Sequence, residues 1–180
     1  MTHGAVEIRF ARETESALVS SVLVEAATWV AGRGAPIWPS EQLGADAIVA
    51  DVVAERYVLA IVETNAVGTA RLAREDPECW PDAVPGVAAY VHRIAVRRSW
   101  AGCGLPSMIL AWCEKQAREL GCGYLRLDCD ASRPKLRELY EGLGFRFHSE
   151  WRVGRYTVAR YERAVPWTNF GVPPLAGALA

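Results

Sequence analysis

The segment AVRRSWAGCGLPS, Ala95 to Ser107, sets Gly102 and Gly104 between a strand-like run, YVHRIAV, and an amphipathic run that opens with Pro106. A glycine turn feeding a helix suits an anion. The first N–H groups of a helix lack intrahelical acceptors, and the helix dipole adds partial positive charge there. Gly102 and Gly104 would let the backbone approach a phosphate closely, and Arg97 and Arg98 just upstream offer charge-assisted contacts. The turn is neither a dinucleotide fingerprint, whose third glycine would fall at Ser107, nor a P-loop, because no G-K-[ST] closes it. Short glycine turns also arise for steric reasons alone, so a plain turn and an anion cradle both stay open here.

Patterning predicts the elements that must hold this turn. VEIRFA, Val6 to Ala11, reads as a short strand, and Ala17, Leu18, Val22, Val24, Ala27 and Trp29 approximate a helical stripe over Glu13 to Val30. AGRGAPIWPS is loop chemistry, and Ser40 caps a second helix through about Val53. RYVLAIV is a continuous apolar run suited to a strand covered on both faces, turning at Thr64 to Ala66 into VGTARLAR. Residues 75–86, EDPECWPDAVPG, read as a surface excursion before the strand Val87 to Val96. A helix from Leu105 to about Leu120 stops at Gly121. YLRLDC alternates Leu125, Leu127 and Cys129 against Tyr124, Arg126 and Asp128, as a half-buried strand does. Pro134 opens a helix carrying Leu136, Leu139, Tyr140 and Leu143, and FRFHSEW and RYTVARYE supply the last two strands. The order β, α, α, β, β, β, α, β, α, β, β predicts a mixed sheet flanked by helices.

The 180 residues, 51% of them hydrophobic, bury one substantial core. The reading is one domain over residues 1–165 and an irregular tail over 166–180. A net charge of -1 provides no global field for nucleic acid or an anionic membrane, so anion binding must be local. No apolar run is long enough to span a bilayer, and no signal pattern opens the chain, which points to the cytoplasm. Five cysteines without paired spacing, and three scattered histidines, predict reduced thiols and no structural metal. Cys113 and Cys129 read as small core residues, and Cys103 as a tolerated small side chain in the turn.

With these residues in view, the chain resembles the GNAT superfamily of acetyl-CoA-dependent N-acyltransferases, most specifically from Val87 to Phe145. The family signature in its R-G-x-G-x-G/A form falls on Ala101, Gly102, Cys103, Gly104, Leu105 and Pro106, with both central glycines matched. Ala101 and Pro106 depart from it, and Pro106 removes one N–H donor. KLRELYEGLGF, Lys135 to Phe145, looks like the family's second block, and Arg133 stands where an asparagine is common.

The resemblance implies an α/β (α+β) single-domain fold: a mixed, mostly antiparallel sheet of six to seven strands with a splayed central parallel pair, flanked by four helices. It implies acetyl-CoA as co-substrate, its pantetheine arm lying along the first splayed strand against Ile94 and Val96. Its pyrophosphate would sit on Ala101 to Leu105, with an N–H near Ile94 or Ala95 for the developing oxyanion. Tyr140 takes the position of the acid that protonates the leaving thiolate, and His92 lies where some members carry a proton-relaying glutamate. Trp29, Trp38, Trp80 and Tyr90 fall on segments bordering the acceptor cleft, where aromatic faces hold an amine's body or its cation. The implied partner is a small-molecule or peptide amine, with a homodimer left open. The departures at Ala101 and Pro106 keep a second reading in play, a non-catalytic acyl-CoA-binding module on the same fold.

Overall fold

A computed structural model of the chain describes residues 4–34 and 37–166. The loop residues Ala35 and Pro36 and nearly all of the tail fall outside the described residues. The elements are β1 (Glu7–Phe10), α1 (Ser16–Ala31), α2 (Ala45–Val53), β2 (Tyr57–Val62), β3 (Asn65–Ala73) and β4 (Ala88–Val96). They continue with α3 (Leu105–Glu119), β5 (Tyr124–Asp130), α4 (Pro134–Gly142), β6 (Arg146–Val153) and β7 (Tyr156–Ala164). One seven-stranded sheet runs β1-β2-β3-β4-β5-β7-β6, and β4–β5 is its parallel pair. The expected fold class and element order are observed.

β2 shows why an unbroken apolar run was needed. Val58, Ala60 and Val62 join the core under α3, while Tyr57, Leu59 and Ile61 join the core under α1 and α2, so all six residues are buried. On β3, Gly68 lets α3 sit down on the sheet: a Cβ there would meet Ile109 Cδ1 at 2.9 Å and Leu105 Cδ2 at 3.1 Å. Gly68→Val should therefore destabilise the chain by about 1–3 kcal/mol through overpacking. A urea titration checks this, and an unchanged midpoint would show that α3 tolerates being lifted.

The decisive irregularity lies in β4. Ala89 and Val91 face the α3 core, and strict alternation would send Arg93 in after them. Arg93 instead adopts φ 51°, and the pairing with β3 shifts register between Thr69 and Arg71. This bulge resets the alternation, as one inserted residue must. Ile94 and Val96 then pack toward the α3 side, and Ala95 goes into the core under α1 and α2.

Beyond the bulge the two central strands separate. β4 and β5 pair only over Ala88–Tyr90 and Tyr124–Arg126, after which β5 stays with β7 to Asp130 and β4 stays with β3 to Val96. A wedge opens between them.

Three sequence expectations change. The helix expected from Ser40 is interrupted: a short turn at Ser40–Gln42 gives way, and α2 starts after Gly44, which is its N-cap. Arg126 is buried rather than solvent-facing, because its guanidinium meets Glu162 at 3.0 Å and lies 4.3 Å from the Trp80 ring centre. Residues 75–86 are anchored, not a loose excursion. Trp80 is 3% exposed, with Arg126 and Arg160 over its ring and Tyr90 and His148 beside it.

Candidate active site

The glycine turn forms the narrow end of the site. Gly102 and Gly104 have φ of 80° and 72°, a region that costs a residue with a Cβ, and Gly104 is the N-cap of α3. Ala101 donates its N–H to Arg98 O and Cys103 to Trp100 O. The N–H groups of Gly102, Gly104, Leu105 and Ser107 have no acceptor among the described residues. These four donors lie at or beside a helix N-terminus, the arrangement that accepts an oxyanion or phosphate. Ser107, passed over as a failed third glycine, is one of them.

The wedge forms the middle. Arg97 gives its backbone N–H to Val67 on β3, so by alternation Ala95 and Arg97 turn their backbones toward β3. Ile94 and Val96 turn theirs to the other side, where β5 has left the sheet. This is a strand edge inside the protein, open to an extended ligand. Ala95, expected to offer an oxyanion N–H, instead faces β3 and buries its methyl. The Arg97 side chain is also committed elsewhere: it donates to Glu25, Ser21 Oγ and Ala66 O, fastening α1 to β4.

At the wide end is a cavity of about 740 Å³, lined by residues that include Trp38, Asp76, Cys79, His92, Ile94, Asp128, Arg133 and Tyr140. His92 sits between two carboxylates, with Nε2 3.6 Å from Asp76 Oδ2 and Nδ1 3.8 Å from Asp128 Oδ1. Burial, opposed by the attraction of Asp76, holds its imidazole below the usual pKa. Asp128 is pushed up to about 6 by burial and by the charge of Asp76. Asp76, Cys79 and Asp128 bring their ligand atoms within 4.8 Å of one another, and burial with these carboxylates raises the Cys79 thiol. Tyr140 packs on Phe145 and Tyr161, and its hydroxyl has no hydrogen-bond partner among the described residues. Burial and the nearby Cys129 and Asp128 raise its pKa well above the ordinary phenol value, which keeps the proton on the oxygen.

The remaining sequence candidates divide. Trp38 and Arg133 line the cavity, Arg133 beside Asp130 at the start of α4. Trp29 does not line it. Its ring is covered by the guanidiniums of Arg33 and Arg98, on the glycine-turn side of the molecule. Tyr90 is buried against Trp80 and is likewise absent from the cavity wall. Asp76 and Asp128 were not singled out from sequence. The available signal for Asp76 was Asp-x-x-Cys in a proline-rich run: its Oδ1 accepts the Cys79 N–H and its carbonyl the Trp80 N–H, forming a turn.

A glycine-turn donor set, a splayed parallel pair and a tyrosine facing the splay coincide in one chain. The model of the acetyltransferase (GNAT) family matches residues 24–145. The chain belongs to that family. It is similar to the uncharacterized N-acetyltransferase YesJ of Bacillus subtilis, 26% identical over 137 residues, 72% of this chain and 75% of YesJ. Among solved structures, a GNAT-family acetyltransferase from Listeria monocytogenes superposes with a TM-score of 0.75 at 24% identity, over 91% of this chain and 98% of that one. YncA of Salmonella typhimurium, solved with acetyl-CoA, gives 0.68 at 15% identity, over 96% and 100%. As a GNAT member the chain is an N-acetyltransferase. Among the described residues, no helix is long and apolar enough to cross a membrane.

Proposed function

We propose that this GNAT protein transfers the acetyl group of acetyl-CoA directly to a primary amine within a ternary complex. The unpaired inner edge of β4, running from the cavity to the unpaired donors of the glycine turn, is the observation that carries this. Its shape suits an extended chain ending in phosphates. Ile94 and Val96 would pair with the amides of the pantetheine arm, and Gly102, Gly104, Leu105 and Ser107 would bind the pyrophosphate. Arg133 stands beside that path at the head of α4. When bound, acetyl-CoA supplies a thioester carbonyl open to attack.

The chain's own residues then manage two protons. The amine nitrogen forms a bond to the carbonyl carbon and gives up a proton to the His92–Asp128 pair, while the C–S bond breaks and the departing sulfur takes the Tyr140 proton. The Ile94 backbone N–H, turned away from β3, would hold the carbonyl oxygen as charge develops. An acetamide and free CoA thiol leave, and solvent returns the pair's proton to Tyr140.

The test is thiol release from acetyl-CoA across primary amines, with calorimetry of CoA binding alongside. Amine-dependent release is expected. CoA binding without turnover of any amine would support the non-catalytic module instead. Gly104→Val should weaken CoA binding roughly tenfold, since a β-branched residue resists the left-handed backbone of the turn. Unchanged affinity would place the phosphates elsewhere.

A further inference from the structure

The wide end of the cavity has an unequal charge inventory. Each arginine lining it is already engaged. Arg71 donates to Asp51 at 2.6 Å, Arg93 donates to Gln42 O, Gln42 Oε1 and Tyr57 Oη, and Arg133 lies 3.5 Å from Asp130. The carboxylates on the floor are in the opposite situation. Asp76 is 8% exposed, and its Oδ2 is buried with no hydrogen-bond donor. Asp128 Oδ1 is buried without a donor as well. Asp76 Oδ2 lies 3.6 Å from His92 Nε2 and Asp128 Oδ1 3.8 Å from Nδ1, and the two carboxyl groups bring an oxygen each within 4.8 Å of one another.

A buried carboxylate oxygen with no donor is costly, and a cationic ligand removes the cost. Asp76 is held in this costly position by its turn and by the anchoring of Trp80, so the chain keeps an acceptor aimed into the cavity. The outer wall, with Trp38 and Tyr156 among its residues, offers hydrocarbon and aromatic surface.

We infer that the acceptor is a decarboxylated amine: a primary ammonium docked between Asp76 Oδ2 and Asp128 Oδ1, with no carboxylate next to it. This rests on the acetyl-transfer function proposed above. An α-amino acid would bring its own carboxylate beside two others, where every lining arginine is committed elsewhere, and like charges at that spacing are strongly unfavourable. The docked ammonium is also beside His92, through which its first proton passes to solvent before nitrogen attacks, leaving the His92–Asp128 pair free to take the second as the amide bond forms.

Matched pairs with a single amino group test this in the unmodified enzyme: tyramine against tyrosine and isopentylamine against leucine, scored by initial rates of thiol release. In each pair kcat/KM should favour the decarboxylated member by roughly 100-fold or more. Asp76→Asn should lower kcat/KM for tyramine roughly 10- to 100-fold while CoA affinity by calorimetry stays near the parent value, which also reports that the variant is folded. Equal or preferred use of tyrosine or leucine overturns the inference, and so does an Asp76→Asn enzyme with unchanged kcat/KM for tyramine. Should that variant fail to fold, the paired rates of the parent enzyme decide. Thiol release that favours carboxylated acceptors defeats only this assignment; CoA binding with no release for any acceptor defeats the transfer function beneath it as well.

Discussion

Tyr140→Phe is expected to lower kcat roughly 100- to 10,000-fold, the range for loss of a positioned general acid. The ring remains, so its packing on Phe145 and Tyr161 and the end of α4 should be undisturbed. The hydroxyl has no partner among the described residues, so its removal strands no donor or acceptor. Stability and CoA affinity should therefore stay close to those of the parent, and the effect should appear in kcat rather than KM. Steady-state thiol release with a saturating amine measures it. A variant with parental kcat would remove the phenol from the chemistry and leave Tyr140 a packing residue.

The second large effect separates stability from activity. Asp128→Asn should make the chain more stable at pH 8 while lowering kcat/KM at least about 100-fold. The folded-state pKa of Asp128 is about 6, against an ordinary 3.8. The folded chain thus holds this proton more tightly than the unfolded chain does. Its contribution to stability is greatest below about pH 4, declines as pH rises to about 6, and stays at its unfavourable limit above that. With the side chain only 16% exposed, the cost above pH 6 is about 2–3 kcal/mol. Removing the charge should raise the melting temperature by roughly 4–10 °C at pH 8 and have little effect at pH 4. Parental activity should fall as pH drops through about 6, a property of the coupled His92–Asp128 pair rather than of either residue alone. Equal melting curves for parent and variant at pH 8 would mean that Asp128 is not under this electrostatic load.

Much of the frame was legible because local patterns carried it. The β2 run is apolar at every position because both faces are covered, and α3 is amphipathic because one face is. The glycine turn was legible because only glycine accepts positive φ at Gly102 and Gly104 without strain. The Tyr140 block was readable only through its likeness to a family, since a helix tyrosine by itself reads as packing. Asp128 was passed over because an acid on an alternating strand looks solvent-facing, and whether that face meets water or a cavity depends on where β4 goes. Asp76 was passed over because a proline-rich acidic run looks loose, and its anchor is one tryptophan held by two arginines from β5 and β7. That Trp29 and Tyr90 lie off the cavity wall was hidden for the same cause: an aromatic ring in a sequence carries no address.

Periodicity and glycine placement alone thus determined the order of elements, the covered central strand and a donor-rich turn at the head of α3, since each depends on neighbours close along the chain. Tertiary structure decided the chemistry. The bulge at Arg93 chooses which residues of β4 face the wedge, and the parting of β4 from β5 makes that edge available. The anchored 75–86 segment carries Asp76 to a histidine sixteen residues away in the chain and a carboxylate fifty-two away. Such meetings follow from register and long-range packing, which no local pattern encodes.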